Sequence, residues 1–209
     1  AAASGAIRAE GGGSHAVTLK AVPGGATAVA FTALDGVTSV SVGAGVAAEL
    51  TNSAASDLAS TATANKDTGV SVGLTVDAAA TVVVSAAAKS TLTTAPSAGV
   101  TPLISEADLK YSIKDTASSI LAEQLRDSDY IPDAVSVTVT DPISLTNFNT
   151  IDVASASNII LAGGISDSAA SLAPSGVADG RLTAATTQDS DVDVQIIGAN
   201  PTVAEINAV

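Results

Sequence analysis

The 209-residue chain has no cysteine, no methionine and no tryptophan. Without Cys there is no disulfide, no thiol nucleophile and no thiolate metal site. The single His, His15 in "GGGSH", lacks the second His or Cys that a zinc motif needs. A Ser-His-Asp triad would depend on that one imidazole, and no G-x-S-x-G elbow accompanies it. The aromatics are only Phe31, Tyr111, Tyr130 and Phe148, so the stacking platforms of a sugar-cleaving site are missing. Eight basic residues stand against twenty-one acids, a net charge of −13. Phosphate binding needs clustered Lys and Arg, which argues against nucleic acid as a direct partner. No apolar run reaches the roughly eighteen residues of a membrane span. "AAATVVVSAAA" (78–88) reads as a strand with Ala flanks. The opening "AAAS" fits Met removal, signal-peptide cleavage or a piece of a longer chain.

What is present is small and apolar. Hydrophobic residues make up 46%, mostly Ala and Val. Burying a Val or Leu contributes about 1.5–3 kcal/mol and an Ala less. Such a core depends on many small contacts, on well-paired sheets or on neighbouring subunits. Charge is uneven: residues 1–100 carry six acids and four bases, residues 101–209 fifteen acids and four bases. That asymmetry suggests two domains.

The first hundred residues hold runs rich in alternating or β-branched residues: "AVTLKAV", "ATAVAFTAL", "VTSVSVG", "GVSVGLTVD" and "TVVVSAA". Turn signals separate them, among them "PGG" at 23–25 and "DG" at Asp35–Gly36. This punctuation predicts an all-β sandwich-like module, Ig-like or jelly-roll, over 1–96. "VAAELTNSAASDLAS" reads as a short helix or a loop. "TTAPSAGVTP" (93–102) has the composition of a linker, which places a linker at 97–105 and a second region at 106–209.

That second region repeats itself. "IKDTASSIL" (113–121) returns as "ISDSAASLA" (165–173), and "VSVTVTDPISLTNFNTI" (135–151) as "VDVQIIGANPTVAEINAV" (192–209). The spacing predicts two α/β repeats, about 109–158 and 159–209, each strand–helix–strand–helix. Asp115 and Asp167 read as helix N-caps. Pro142 and Pro201 read as first helical residues. Leu145, Phe148 and Ile151 recur as Val203, Ile206 and Val209, a stripe at spacing three.

"YSIKDTASSIL" followed by "VSVTVTDPISLTNFNTI" resembles the Y-x-I-x-D-T-A repeats of large, acidic, Cys-free bacterial surface proteins and of structural proteins of marine phages. The resemblance covers about 109–209 and is strongest at Tyr111, Ile113, Asp115, Thr116 and Ala117. It implies a structural, assembly or adhesion role and no enzyme.

Two acidic stretches are the only metal candidates. Asp127, Asp129 and Asp133, and Asp189, Asp191 and Asp193, offer oxygens of the kind Ca²⁺ takes. Neither stretch matches an EF-hand loop or a glycine-rich nonapeptide. The solvated-loop reading therefore stands beside the Ca²⁺ one, and no other cofactor is expected. The sequence leads to a non-enzymatic structural protein of a virion or bacterial surface, in decoration, fibre, surface layer or filament. It would be extracellular and would act through homo-oligomeric self-assembly or with other coat subunits. The alternative is a Ca-dependent adhesion module that binds a glycan or receptor.

Overall fold

The computed structural model describes residues 4–8, 14–19, 29–198 and 201–209. The turn expected at 23–25 and Asn200 lie outside the described residues. The chain divides into two compact units, 1–112 and 113–209.

Unit 1 runs β1 (Ser4–Arg8), β2 (Ala16–Leu19), β3 (Val29–Asp35), β4 (Ser39–Val42), β5 (Ala47–Leu50), α1 (Asn52–Asn65), β6 (Gly73–Val76), β7 (Thr81–Val84) and α2 (Ala86–Thr93). The β-sandwich expected here is overturned. Strands β1, β3, β5 and β7 lie side by side in one sheet, and β2, β4 and β6 in a second. Each of these pairings is parallel. Successive strands alternate between the two sheets, so the chain winds forward one coil at a time. The reason for the difference is physical. Alternation reports that one face of a strand is buried, and it carries no information about the direction of its partner.

Parallel pairing needs crossovers, and the sequence supplies them. Thr51 accepts from the N–H of Ala54 and Ser85 from that of Ala88, which caps α1 and α2. Ala, the strongest helix former, then carries both helices. "VAAELTNSAASDLAS" is thus β5 followed by α1, and the Ala flank after "TVVV" is α2. Register stacks apolar residues coil on coil, with Phe31 opposite Leu50 and Leu50 opposite Val84. In the second sheet Val40 lies opposite Leu74. Leu58 and Leu92 close the core from the helices. Leu103 and Ile104 are buried as well, and the Leu103 carbonyl accepts from the N–H of Leu74 at 2.8 Å.

Unit 2 carries β8 (Tyr111–Asp115, entering from the unit boundary), α3 (Ala117–Arg126), β9 (Ser136–Val139), α4 (Leu145–Ala154), β10 (Asn158–Leu161), β11 (Ile165–Ser168), α5 (Ala169–Leu172), α6 (Gly180–Gln188), β12 (Val194–Ile197) and α7 (Val203–Ala208). Again the pairing is parallel, β8–β9–β10 in one ladder and β11–β12 in another. A bridge from Ile143 to Ile165 extends the second ladder back by one coil. Ile113, Val137 and Ile159 stack in one buried column.

The two repeat phrases fall on different ladders, β8 on the first and β11 on the second. "NIILAGGI" holds β10 and the start of β11, separated by a turn at Ala162–Gly163. Gly164 has φ +75°. A Cβ on Gly163 would lie 2.1 Å from the carbonyl carbon of Asp141, so the coils approach too closely there for any side chain. The whole chain is therefore an α/β fold of parallel sheets.

Candidate interaction surface

The local device behind the repeated phrases is the same in both places. Asp115 Oδ1 accepts from the N–H of Thr116 at 2.8 Å, and Asp167 Oδ1 from that of Ser168 at 2.8 Å. Thr116 and Ser168, not the aspartates, are the N-caps. They accept from the backbone N–H groups of Ser119 and Ser171. Asp115 ends β8, and Asp167 lies within β11, which runs on to Ser168. Pro142 and Pro201 likewise precede the caps Ser144 and Thr202 instead of opening the helices.

A second use of carboxylates ties one coil to the next. Asp141 Oδ1 accepts from the N–H of Ala117, the first residue of α3, at 2.7 Å. Asp167 Oδ2 accepts from that of Leu145, the first residue of α4, at 3.1 Å. Each helix start is thus held partly by an acid from the following coil, where both the free N–H groups and the helix dipole favour negative charge. In unit 1, Asp57 Oδ2 on α1 accepts instead from a strand, the N–H of Leu34 in β3, at 2.8 Å.

The six Ca²⁺ candidates are dispersed among such tasks. Asp127 receives the N–H of Asp129 at 3.2 Å in the turn after α3, and Asp129 and Asp133 are exposed. Asp189 Oδ2 accepts from the N–H of Leu161 at 2.7 Å, beside Gln188 Oε1 on the N–H of Ile159. These two side chains cover the open edge of β10 as a further strand would. Asp191 and Asp193 are exposed, and the Asp193 carbonyl accepts from Ile165. Among the described residues no three His, Asp or Glu groups come together to hold a metal ion. His15 meets Thr38 and Ser39 through its backbone at the entry to β2.

The start of α6 carries a coupled, partly buried ion pair. Asp179 caps Arg181 N–H and takes two bonds from the Arg181 guanidinium. The Arg181 side chain first, and its backbone N–H second, hold the Asp179 carboxyl below its ordinary 3.8.

One surface of unit 2 is apolar and uncovered. On α4 the stripe Leu145, Phe148 and Ile151 is fully buried. Its counterpart on and after α7 is exposed: Val203 at 73%, Ile206 at 49% and Val209 at 41%. On β12, Ile197 is 49% exposed. Among the described residues no strand pairs with the outer edge of β12. The edge of the first ladder is thus closed by Gln188 and Asp189, while that of the second stays open. The stripe was legible in the sequence; the coil-to-coil acids were not, since their partners are backbone groups more than twenty residues away. No described helix is long and apolar enough to cross a membrane. Comparisons with protein families, curated proteins and solved structures find no match to this chain.

Proposed function

We propose that this chain is a non-enzymatic structural protein that works by self-association, as a subunit of an extracellular or virion-type assembly. The observation that carries this reading is an exposed apolar stripe in unit 2. The stripe that is buried on α4 stands exposed on and after α7, and among the described residues no strand pairs with the outer edge of β12 in the same unit. Exposed strand edges and contiguous apolar side chains promote association unless they are blunted. The other ladder of the same unit is blunted and this one is not. Sedimentation velocity and electron microscopy of the purified chain across a wide concentration range test the reading. Species larger than the 20.1 kDa chain, growing with concentration, are expected. A strict monomer throughout overturns it.

A further inference from the structure

We infer that residues 97–108 form a strap that guards the outer edge of β6 and opens as a unit while the rest of unit 1 stays folded. This goes beyond the structural reading above and does not depend on it.

The strap stands where a further strand would pair. β6 is an outer strand of the β2-β4-β6 ladder, and its Leu74 N–H donates to the Leu103 carbonyl at 2.8 Å. Gly73 leaves room for that carbonyl, since a Cβ there would lie 3.1 Å from its oxygen. The Ile104 N–H donates to the Leu92 carbonyl, near the end of α2, at 3.3 Å. Leu103 and Ile104 are buried, and no other residue from 97 to 108 is.

An ion pair latches the strap. Glu106, in the short helical turn Glu106–Asp108, pairs with Lys89 of α2. The Lys89 side chain is 4% exposed and that of Glu106 58%. The Tyr111 ring lies 5.9 Å from the Lys89 ammonium. A buried ammonium depends on its partners, and this carboxylate sits on a surface segment.

One group opposes closure. Ser97 Oγ is buried and has no hydrogen-bond partner among the described residues. Burying a hydroxyl unpaired costs stability that opening to water returns. The closed strap is thus favoured by Leu103, Ile104 and Glu106 and disfavoured by Ser97. Segments with so few buried contacts open locally before their unit unfolds. Opening frees the Leu74 N–H and uncovers the apolar surface under Leu103 and Ile104. An exposed strand edge of that kind promotes association, so the closed strap withholds it.

Native-state hydrogen exchange followed by NMR on the full 209-residue chain tests this. The Leu74 N–H reports the strap. The N–H groups of Gly73 and Asp77 donate to the Thr38 and Val42 carbonyls and report the β4 side of the same strand. Glu106→Ala is expected to speed exchange at Leu74 by at least about tenfold, with Gly73 and Asp77 unchanged. Ser97→Ala is expected to slow exchange at Leu74 by about threefold or more. In sedimentation velocity Glu106→Ala is expected to self-associate more strongly than wild type. Four results overturn the inference. Leu74, Gly73 and Asp77 speeding up together in Glu106→Ala would mean that the segment opens only with its unit. Unchanged exchange at Leu74 in that variant removes the latch, and no slowing in Ser97→Ala removes the opposing group. Faster exchange at Leu74 without added association shows an edge that needs no guard.

Discussion

At the scale of single residues, aspartate does the joining. Asp167 holds two backbone N–H groups at once, one at its own strand end and one at the start of α4. Replacing it with Ala leaves both without their acceptor and is expected to cost about 1–3 kcal/mol, read from urea denaturation midpoints. Asp129→Ala, in an exposed turn, is expected to change stability by less than about 0.5 kcal/mol. Asp189→Ala strips the cover from β10 and is expected to lose about 1–3 kcal/mol equally in EDTA and in Ca²⁺. A loss confined to Ca²⁺ would identify Asp189 as a ligand instead. The Asp179–Arg181 pair gives a pH signature. A carboxyl whose folded pKa is lowered adds stability that is complete above its unfolded value and disappears as pH falls through the folded one. The stability difference between wild type and Asp179→Asn is therefore expected to be constant near neutrality and to close on acidification below the ordinary carboxylate range. Denaturation midpoints across that range check it.

At the scale of elements, turns and caps decide where strands stop. Gly163 marks the closest approach between coils in unit 2, and a Cβ there meets the Asp141 backbone at 2.1 Å. Gly163→Ala is expected to destabilise by more than about 2 kcal/mol, by forcing the backbone apart. Gly180, at the first position of α6 with open space around it, is the opposite case. Gly180→Ala is expected to stabilise by about 0.4–1 kcal/mol. Thermal melts of the two variants separate a glycine required for space from one that is replaceable. Thr116, Ser144, Ser168 and Thr202 cap four helices of the second region, and Asp179 caps α6. The aspartate one place before Thr116 and Ser168 drew the capping assignment, because Asp, Ser and Thr are all good caps and only the folded backbone shows whose side chain meets the N–H groups of the first turn.

At the scale of the molecule, the same stripe has two fates. Phe148 is buried in unit 2, so Phe148→Ala is expected to cost about 3–5 kcal/mol. Ile206 is half exposed at the end of the last described coil, so Ile206→Ala is expected to change the stability of the dilute chain by less than about 0.5 kcal/mol. Chemical denaturation at low protein concentration measures both. A core of Leu and Ile beside Ala and Val, with all four aromatics buried, supports this architecture because each coil sets its apolar residues in register against the next.

The sequence by itself determined the strand faces, the apolar stripes and the kinship of "IKDTASSIL" with "ISDSAASLA". These are local properties, set by side-chain period and by bonds within four residues. Only the tertiary structure decided that the strands run parallel, that two similar phrases sit on different ladders, and that acids such as Asp141 and Asp167 serve a helix in the preceding coil. Partner direction and long-range capping depend on which backbone groups face each other after winding. Alternation along one strand is the same whichever way its neighbour runs, so the sandwich expected for residues 1–96 and the coil found there share one sequence pattern.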